Sequence, residues 1–432
     1  MKKVIVVGGG IAGLTAAVYL SEKGIEVTLL EASPKLGGRT YSLYNEKIND
    51  AYDNGQHILM GCYDETIRLL KKIDSYDKIQ TQPSLEINFI MRDGSSYKLK
   101  SFSKGYPLNL LVAILNFKLL KFSERLRIVD FFLDLMCCYE EDLTNVTVSE
   151  WLRSKKQSEN AVKSFWEVLI VGALNAKAEH TSASVFAGIL KRIFLEGNFA
   201  ATILIPKTNL SELFCLPSGE YIKSRNGSIH LSQKVISLAT DGDFISGLET
   251  AKNEYGGFDA LVFAIPSHAL DKIKFKNSES SLPDMKLNYS PIVNVHLWLD
   301  QNPFTDSFYG LIGSDVHWLF NHGSYISLTS SAAEHLIALE SNEIVGHFCS
   351  ELENYFHILL KESVTDSIVI KEKRATFVPD IASNDIRKNF YSPFKNLFFA
   401  GDWTSTGLPS TIESAALSGR LVAEQLISFL SK

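Results

Sequence analysis

Three glycines and one carboxylate near the start of the chain carry the first chemical reading. Gly8, Gly10 and Gly13 have the spacing GxGxxG, directly after the apolar run Val4–Val7 and at the start of a helical pattern, Ala12 to Lys23. In such a turn the first glycine permits the bend, the second lets backbone N–H groups approach a pyrophosphate, and the third lets the helix pack on the strand. The free N–H groups of the helix start, at Ile11 and Ala12, favour negative charge. Glu31 ends a second strand pattern, Val27–Leu30. A carboxylate there accepts ribose hydroxyls and would repel a 2′-phosphate, which argues against NADP in this site. A lone GxGxxG is weak evidence. Strand, glycines, helix, second strand and acid in this order point to a bound dinucleotide.

The elements that must position these residues follow from patterning. Val4–Val7 is β-branched and reads as a central parallel strand, with Gly24 capping the helix after it. Residues 46–75 hold a Gly-rich loop and a helix, Asp64 to Ile73. Residues 85–100 read as a hairpin around Arg92-Asp93-Gly94-Ser95. Residues 107–205 are mostly helical, and 216–265 return to strands ending in Ala260–Ile265. Residues 290–300 alternate like a strand, a helix covers Ser341 to Leu360, and the end is strand Leu397–Ala400 followed by helix Ile412 to Leu430. At 432 residues the chain exceeds the usual ~50–250 of one domain. The expected fold class is α/β. It pairs a discontinuous Rossmann-type dinucleotide domain (1–75, 210–268, 385–432) with a mixed sheet and helical substrate domain (76–209, 269–384).

Composition excludes some classes. A net charge of −6 gives no reason to expect nucleic acid. Five cysteines form neither a CxxC pair nor a disulfide framework, which fits a reducing cytosol. The apolar start is interrupted by Gly8-Gly9-Gly10, too soon for a signal peptide. The longest apolar run, Leu108 to Leu115, is far below the ~20 residues of a membrane span. The expectation is a cytoplasmic protein, free or peripheral on the inner face of the cell membrane.

FAD is distinguished from NAD by resemblance. Ala32-Ser33-Pro34-Lys35-Leu36-Gly37-Gly38-Arg39-Thr40 resembles the segment that lies along the FAD pyrophosphate and flavin in the amine oxidase and phytoene desaturase superfamily. Gly401-Asp402 resembles the acid that approaches the ribityl chain in two-domain flavoproteins. Ser410, Thr411 and Ile412 open a helix whose N–H groups would face the flavin, where negative charge develops on reduction. Val235 resembles the adenine contact, and Ala264 the strand end that closes the module. These residues imply an amine oxidase-like fold with FAD and no metal.

The stretch Tyr52-Asp53-Asn54-Gly55-Gln56-His57-Ile58-Leu59-Met60-Gly61-Cys62-Tyr63 resembles the squalene-associated flavoproteins, the hydroxysqualene dehydroxylase group. Pro291–Leu299, Glu372–Thr376 and Gly401–Ala415 agree, so the resemblance runs nearly end to end. It implies FAD contacts at Gly55, Gln56 and His57. It also implies a reductive reaction on an isoprenoid lipid: hydroxysqualene loses its hydroxyl as an allylic cation and takes hydride from reduced flavin, with an external reductant restoring the cofactor. His57 is the first candidate proton donor and Asp53 the second, although Asp53 suits a loop anchor better. Cys62 and Tyr63 follow. Alternatives are a carotenoid desaturase or isomerase, an amine oxidase, and a non-enzymatic flavin module. Tyr106–Phe132 and Ile189–Ile205 mix apolar and basic residues as interfacial helices do, and they equally suit core helices of the substrate domain, with one face on a lipid tunnel and another on the membrane.

Overall fold

A computed structural model describes residues 1–276 and 281–431. Its parallel sheet has five strands in the order Ser228–His230, Glu26–Leu30, Lys3–Val7, Ala260–Phe263 and Leu397–Phe399. The first, middle and last parts of the chain therefore meet in one layer. Val4–Val7 sits at its centre and is buried on both faces, as an uninterrupted β-branched run requires. The helices Ile11–Glu22 and Ile412–Leu430 cover one face. They approach so closely that a Cβ on Gly419 would stand 2.4 Å from the Ala12 carbonyl oxygen. Side chains from a four-stranded sheet built on Val235–Asp241 and Phe244–Thr250 fill the other face.

The second region is a seven-stranded sheet in the order Val364–Phe377, Tyr289–Leu299, Tyr325–Ser331, Trp318–Asn321, Phe308–Leu311, Glu86–Ile90 and Ser96–Lys100. The hairpin expected at 85–100 supplies its last two strands. Along Tyr289–Leu299 the period-2 rule divides the work. Val293, Val295 and Leu297 pack on helix Ser341–Phe356 with Ile344 and Phe348, while Ile292 and Asn294 face a cavity. A helical layer that includes Phe122–Cys137, Glu167–Leu174 and Ala183–Leu195 closes the far side of that cavity through Leu169, Ile189 and Phe194.

The segment 189–205 follows the core alternative rather than the interfacial one. Leu190 and Phe194 are core residues, the helix ends at Leu195, and Ile203–Pro206 is a strand between Leu59–Met60 and Ile79–Thr81. Its apolar residues were needed inside the protein.

Candidate active site

One cavity of about 1320 Å³ runs from the turn after Val7 to the helical layer. The residues expected at the site all line it except two, Gly13 and Asp53. Gly13 acts through packing: a Cβ there would stand 1.9 Å from the Gly8 carbonyl oxygen, so the helix could not approach the strand. Gly8 has φ +109°, and a Cβ would meet the Ala264 carbonyl at 2.4 Å. Gly10 is different. A Cβ on it would find no protein atom nearer than 3.8 Å. Protein packing does not demand a glycine here, but a ligand lying against the backbone does. The helix after it has no side-chain cap and no acid in its first turn, which leaves its N–H groups for an anion. The residues present thus fit the pyrophosphate of a dinucleotide.

Around this turn the charged groups are held tightly. Glu31 accepts the Gly9 N–H at 2.6 Å and the Ser33 N–H at 2.7 Å, so the carboxylate also shapes the glycine turn. Arg39 donates to Asp402 at 2.6 Å and to the Ala375 carbonyl at 2.6 Å, with Ser410 also bonded to Asp402. That set joins the Gly37-Gly38-Arg39 segment to the C-terminal unit and to the long strand Val364–Phe377. Burial raises the Asp402 carboxyl, but the Arg39 charge and the hydrogen bonds outweigh it, and the net value is below the ordinary one. Arg387, only 3% exposed, was not evident from sequence. It donates to the carbonyls of Thr404 at 2.6 Å and Leu408 at 2.9 Å and holds the loop between Asp402 and Ser410.

The Asp53–His57 loop borders the cavity from the other side. His57 Nδ1 lies 2.6 Å from the Gly55 carbonyl oxygen. A carbonyl only accepts, so Nδ1 carries the hydrogen and Nε2 keeps its lone pair. Burial lowers the imidazole pKa, which keeps the ring neutral at rest. It donates a proton to a ligand only after gaining one at Nε2.

Asp53 faces away, accepting from Ser42 Oγ at 2.7 Å and the Leu210 N–H at 2.9 Å. Burial pushes its carboxyl up to about 6, against the pull of those two hydrogen bonds. Because the folded value exceeds the unfolded one, its stabilising contribution is complete below the unfolded pKa near ~3.9 and is lost as pH rises through about 6. That difference amounts to about 2–3 kcal/mol. Asp53→Asn keeps an acceptor oxygen without the charge. It is expected to be more stable than the parent by about 2 kcal/mol at pH 8 and equal to it near pH 4. Urea unfolding at both pH values measures this, and a gap that does not change with pH would refute the buried-charge account.

Beyond the loop the wall is apolar, formed by Ile87, Phe89, Phe165, Leu169, Ile189 and Phe194. Polar residues interrupt it on the sheet side, among them Ser331 and the pair Asn294 and Thr329, which stand directly opposite each other on adjacent strands. On the helix side stand Cys62, Tyr63, Arg192 and Glu413. Asn294, Arg192 and Glu413 were not assigned roles from the sequence.

A parallel sheet fed by three chain segments, a glycine turn open to a ligand, and a second sheet sharing one cavity with it define a dinucleotide-binding protein with a second ligand chamber. The chain belongs to the flavin containing amine oxidoreductase family, whose profile matches residues 11–427. It is an FAD-dependent oxidoreductase, and FAD is its cofactor. It is 27% identical over 428 residues to hydroxysqualene dehydroxylase of Zymomonas mobilis, covering 98% of both chains. It is 26% identical over 455 residues to 15-cis-phytoene desaturase of Glycine max, covering 98% of this chain and 79% of that one. Among solved structures it resembles cyclohexylamine oxidase from Brevibacterium oxydans, with TM-score 0.72 and 16% identity over 100% of both chains.

Proposed function

We propose that this protein reductively removes the hydroxyl of hydroxysqualene to give squalene. The observation that carries the reading is the cavity. It continues from the cofactor cradle into an apolar chamber and, at about 1320 Å³, exceeds the ~300–1,000 Å³ of ordinary ligand pockets. It has room for a dinucleotide and a second, largely hydrocarbon ligand. End-to-end similarity to a hydroxysqualene dehydroxylase supports the same substrate. Reduced flavin supplies hydride when bound. The chain's own residues do the rest. The apolar wall excludes water, so an ionising allylic C–O bond is not met by solvent. His57, once protonated, offers Nε2–H to the leaving oxygen, and Arg39 with Asp402 fixes the cofactor-facing segments. An external reductant completes the cycle.

Similarity to phytoene desaturase favours a second reading, carotenoid desaturation with the opposite electron flow. Anaerobic spectroscopy separates the two. Reduced holoenzyme mixed with hydroxysqualene should regain its oxidised flavin absorbance and yield squalene. No return of absorbance, together with bleaching of oxidised enzyme by phytoene or an amine, would overturn the proposal.

Such a substrate resides in a bilayer, and we place the protein peripherally on the inner membrane face. Among the described residues no helix is long and apolar enough to cross a membrane. Helix Phe122–Cys137 has two apolar stripes. Ile128, Phe131 and Leu135 are buried, while Phe122, Leu126, Leu133 and Met136 are exposed on the opposite side. A peripheral helix needs such a second stripe. Leu126→Ser combined with Leu133→Ser is expected to weaken co-sedimentation with phosphatidylglycerol-containing vesicles about tenfold or more. Unchanged sedimentation would remove this face from membrane contact.

A further inference from the structure

We propose that Asn294, backed by Thr329, is a positioning residue that sets the tautomer and aim of His57. The Asn54 carbonyl only accepts, so the amide end beside it is the NH₂, and Thr329 Oγ1 donates to the other end, Oδ1, at 2.8 Å. The Nδ2 end is thereby turned toward the Asp53–His57 loop and donates to the Asn54 carbonyl at 3.4 Å. It is packed on that loop: a Cβ on Gly55 would stand 2.6 Å from Asn294 Nδ2, so only glycine lets the amide and the backbone meet. The carbonyl of that same Gly55 takes the His57 Nδ1–H at 2.6 Å. The path therefore runs from a strand of the substrate sheet, through one amide, to a loop on the cofactor side. Asn294 is 4% exposed and Thr329 8%, on a cavity wall that also carries the apolar Ile292, Phe308 and Phe320. Burying an amide and a hydroxyl in such a wall costs free energy unless both are bonded. Apolar residues would pack there without that cost, so the pair has a task other than filling space.

The task is to hold the Gly55 carbonyl where it keeps the proton on Nδ1. Nε2 is then the only ring atom that exchanges a proton with a ligand. Its catalytic meaning rests on the reaction proposed above. There the proton on Nε2 goes to the leaving oxygen, the C–O electron pair departs with that oxygen as water, and the carbon is closed by the hydride that reaction supplies. The ring returns to the neutral form with Nδ1–H unmoved. A carbonyl that shifted would let the proton settle on either nitrogen, and part of the population would present the wrong atom.

Holoenzyme labelled with ¹⁵N-histidine tests this, with His57→Ala identifying the His57 signals. The parent is expected to show the neutral Nδ1–H form. Asn294→Ala and Thr329→Val should each give a mixture of both tautomers while keeping the oxidised flavin spectrum. With hydroxysqualene, kcat should fall about tenfold with KM within about twofold. In a His57→Ala background, Asn294→Ala should cause no further loss, because both act through one ring. Unchanged His57 ring signals in both variants would overturn the inference, and so would losses that multiply in the double variant. Thr329→Val removes only a hydroxyl and carries the test if Asn294→Ala does not fold. If no form of the enzyme turns over hydroxysqualene, the proposed reaction fails, while the ring signals still decide the positioning.

Discussion

Asp402→Ala is expected to cost about 3 kcal/mol of unfolding free energy and to leave the protein largely without FAD. Asp402 is 5% exposed, and its carboxylate is the partner of Arg39 and Ser410. Removing it leaves the guanidinium without its paired carboxylate, with only the weaker charge of Glu372 acting on it. Breaking a buried pair in this way costs ~3–5 kcal/mol. The lower end applies because the Arg39 side chain, 36% exposed, looks into the cofactor cavity and is partly solvated there. Roughly 3 kcal/mol corresponds to about a hundredfold in an equilibrium. Arg39 also holds the Ala375 carbonyl, so the damage spreads to the long strand of the second sheet. Asp402→Asn keeps an acceptor for Arg39 and Ser410 and should lose less. The sign of the pH dependence is fixed by the lowered carboxyl value. The contribution of Asp402 is present above the unfolded pKa near ~3.9 and is lost only as pH falls through the lower folded value. FAD should therefore stay bound at pH 5. Denaturant unfolding and the flavin absorbance of purified protein measure both effects. An alanine variant with parental midpoint and full FAD would show that the pair does not hold the site.

What could be read from the sequence, and what could not, divides by range. The glycine turn is legible because its geometry is local: Gly8, Gly10, Gly13 and Glu31 lie within one strand–helix–strand unit. The C-terminal Gly401-Asp402 unit is legible only through resemblance, since nothing local says that its strand lies beside Ala260–Phe263. Asn294 reads as one polar residue in an alternating strand. Its meaning comes from Asn54 and Gly55, about 240 positions earlier in the chain. Arg387 reads as a surface charge on a short helix, yet it is buried under the carbonyls it holds. The strand Val364–Phe377 was not evident either, because its charged run Lys371-Glu372-Lys373-Arg374 leaves no sustained apolar alternation. It lies at the edge of the sheet, where charged residues guard against pairing with other chains. Asp53 was legible from its place in the loop. Its residue type allowed proton transfer but suited a loop anchor better, and the fold turns its oxygen toward Ser42 and Leu210 as an anchor.

Glu413→Ala is expected to have the largest effect on stability, about 4 kcal/mol. An acid in the first turn of helix Ile412–Leu430 reads as favourable to that helix's own dipole. The structure gives it another role. Its Oε2 accepts the Thr66 N–H at 2.9 Å and the Thr66 hydroxyl at 2.8 Å, and its Oε1 accepts the Glu65 N–H at 3.1 Å and Arg192 at 3.2 Å. Helix Asp64–Lys72 has no side-chain cap of its own, since Tyr63 occupies that position. Glu413 therefore caps a second helix from outside and pairs with an arginine on a third, Ala183–Leu195. At 2% exposure the carboxylate has no water to replace it. Alanine leaves two helix-terminal N–H groups unsatisfied, each at ~1–3 kcal/mol, and takes the buried carboxylate from Arg192, which keeps only the Cys62 carbonyl at 2.9 Å and the more distant Asp64. Their costs overlap because the groups share one site. Glu413→Gln restores the acceptor oxygen but points an NH₂ at a ring of donors, so it should recover only part of the loss. The three helices meet where Cys62, Tyr63 and Arg192 line the cavity, and loosening them should admit water beside the substrate chamber. Urea unfolding gives the stability term, and hydrogen exchange at Glu65 and Thr66 reports the cap directly. If those two amides stay protected in the alanine variant, the clamp does not act through Glu413.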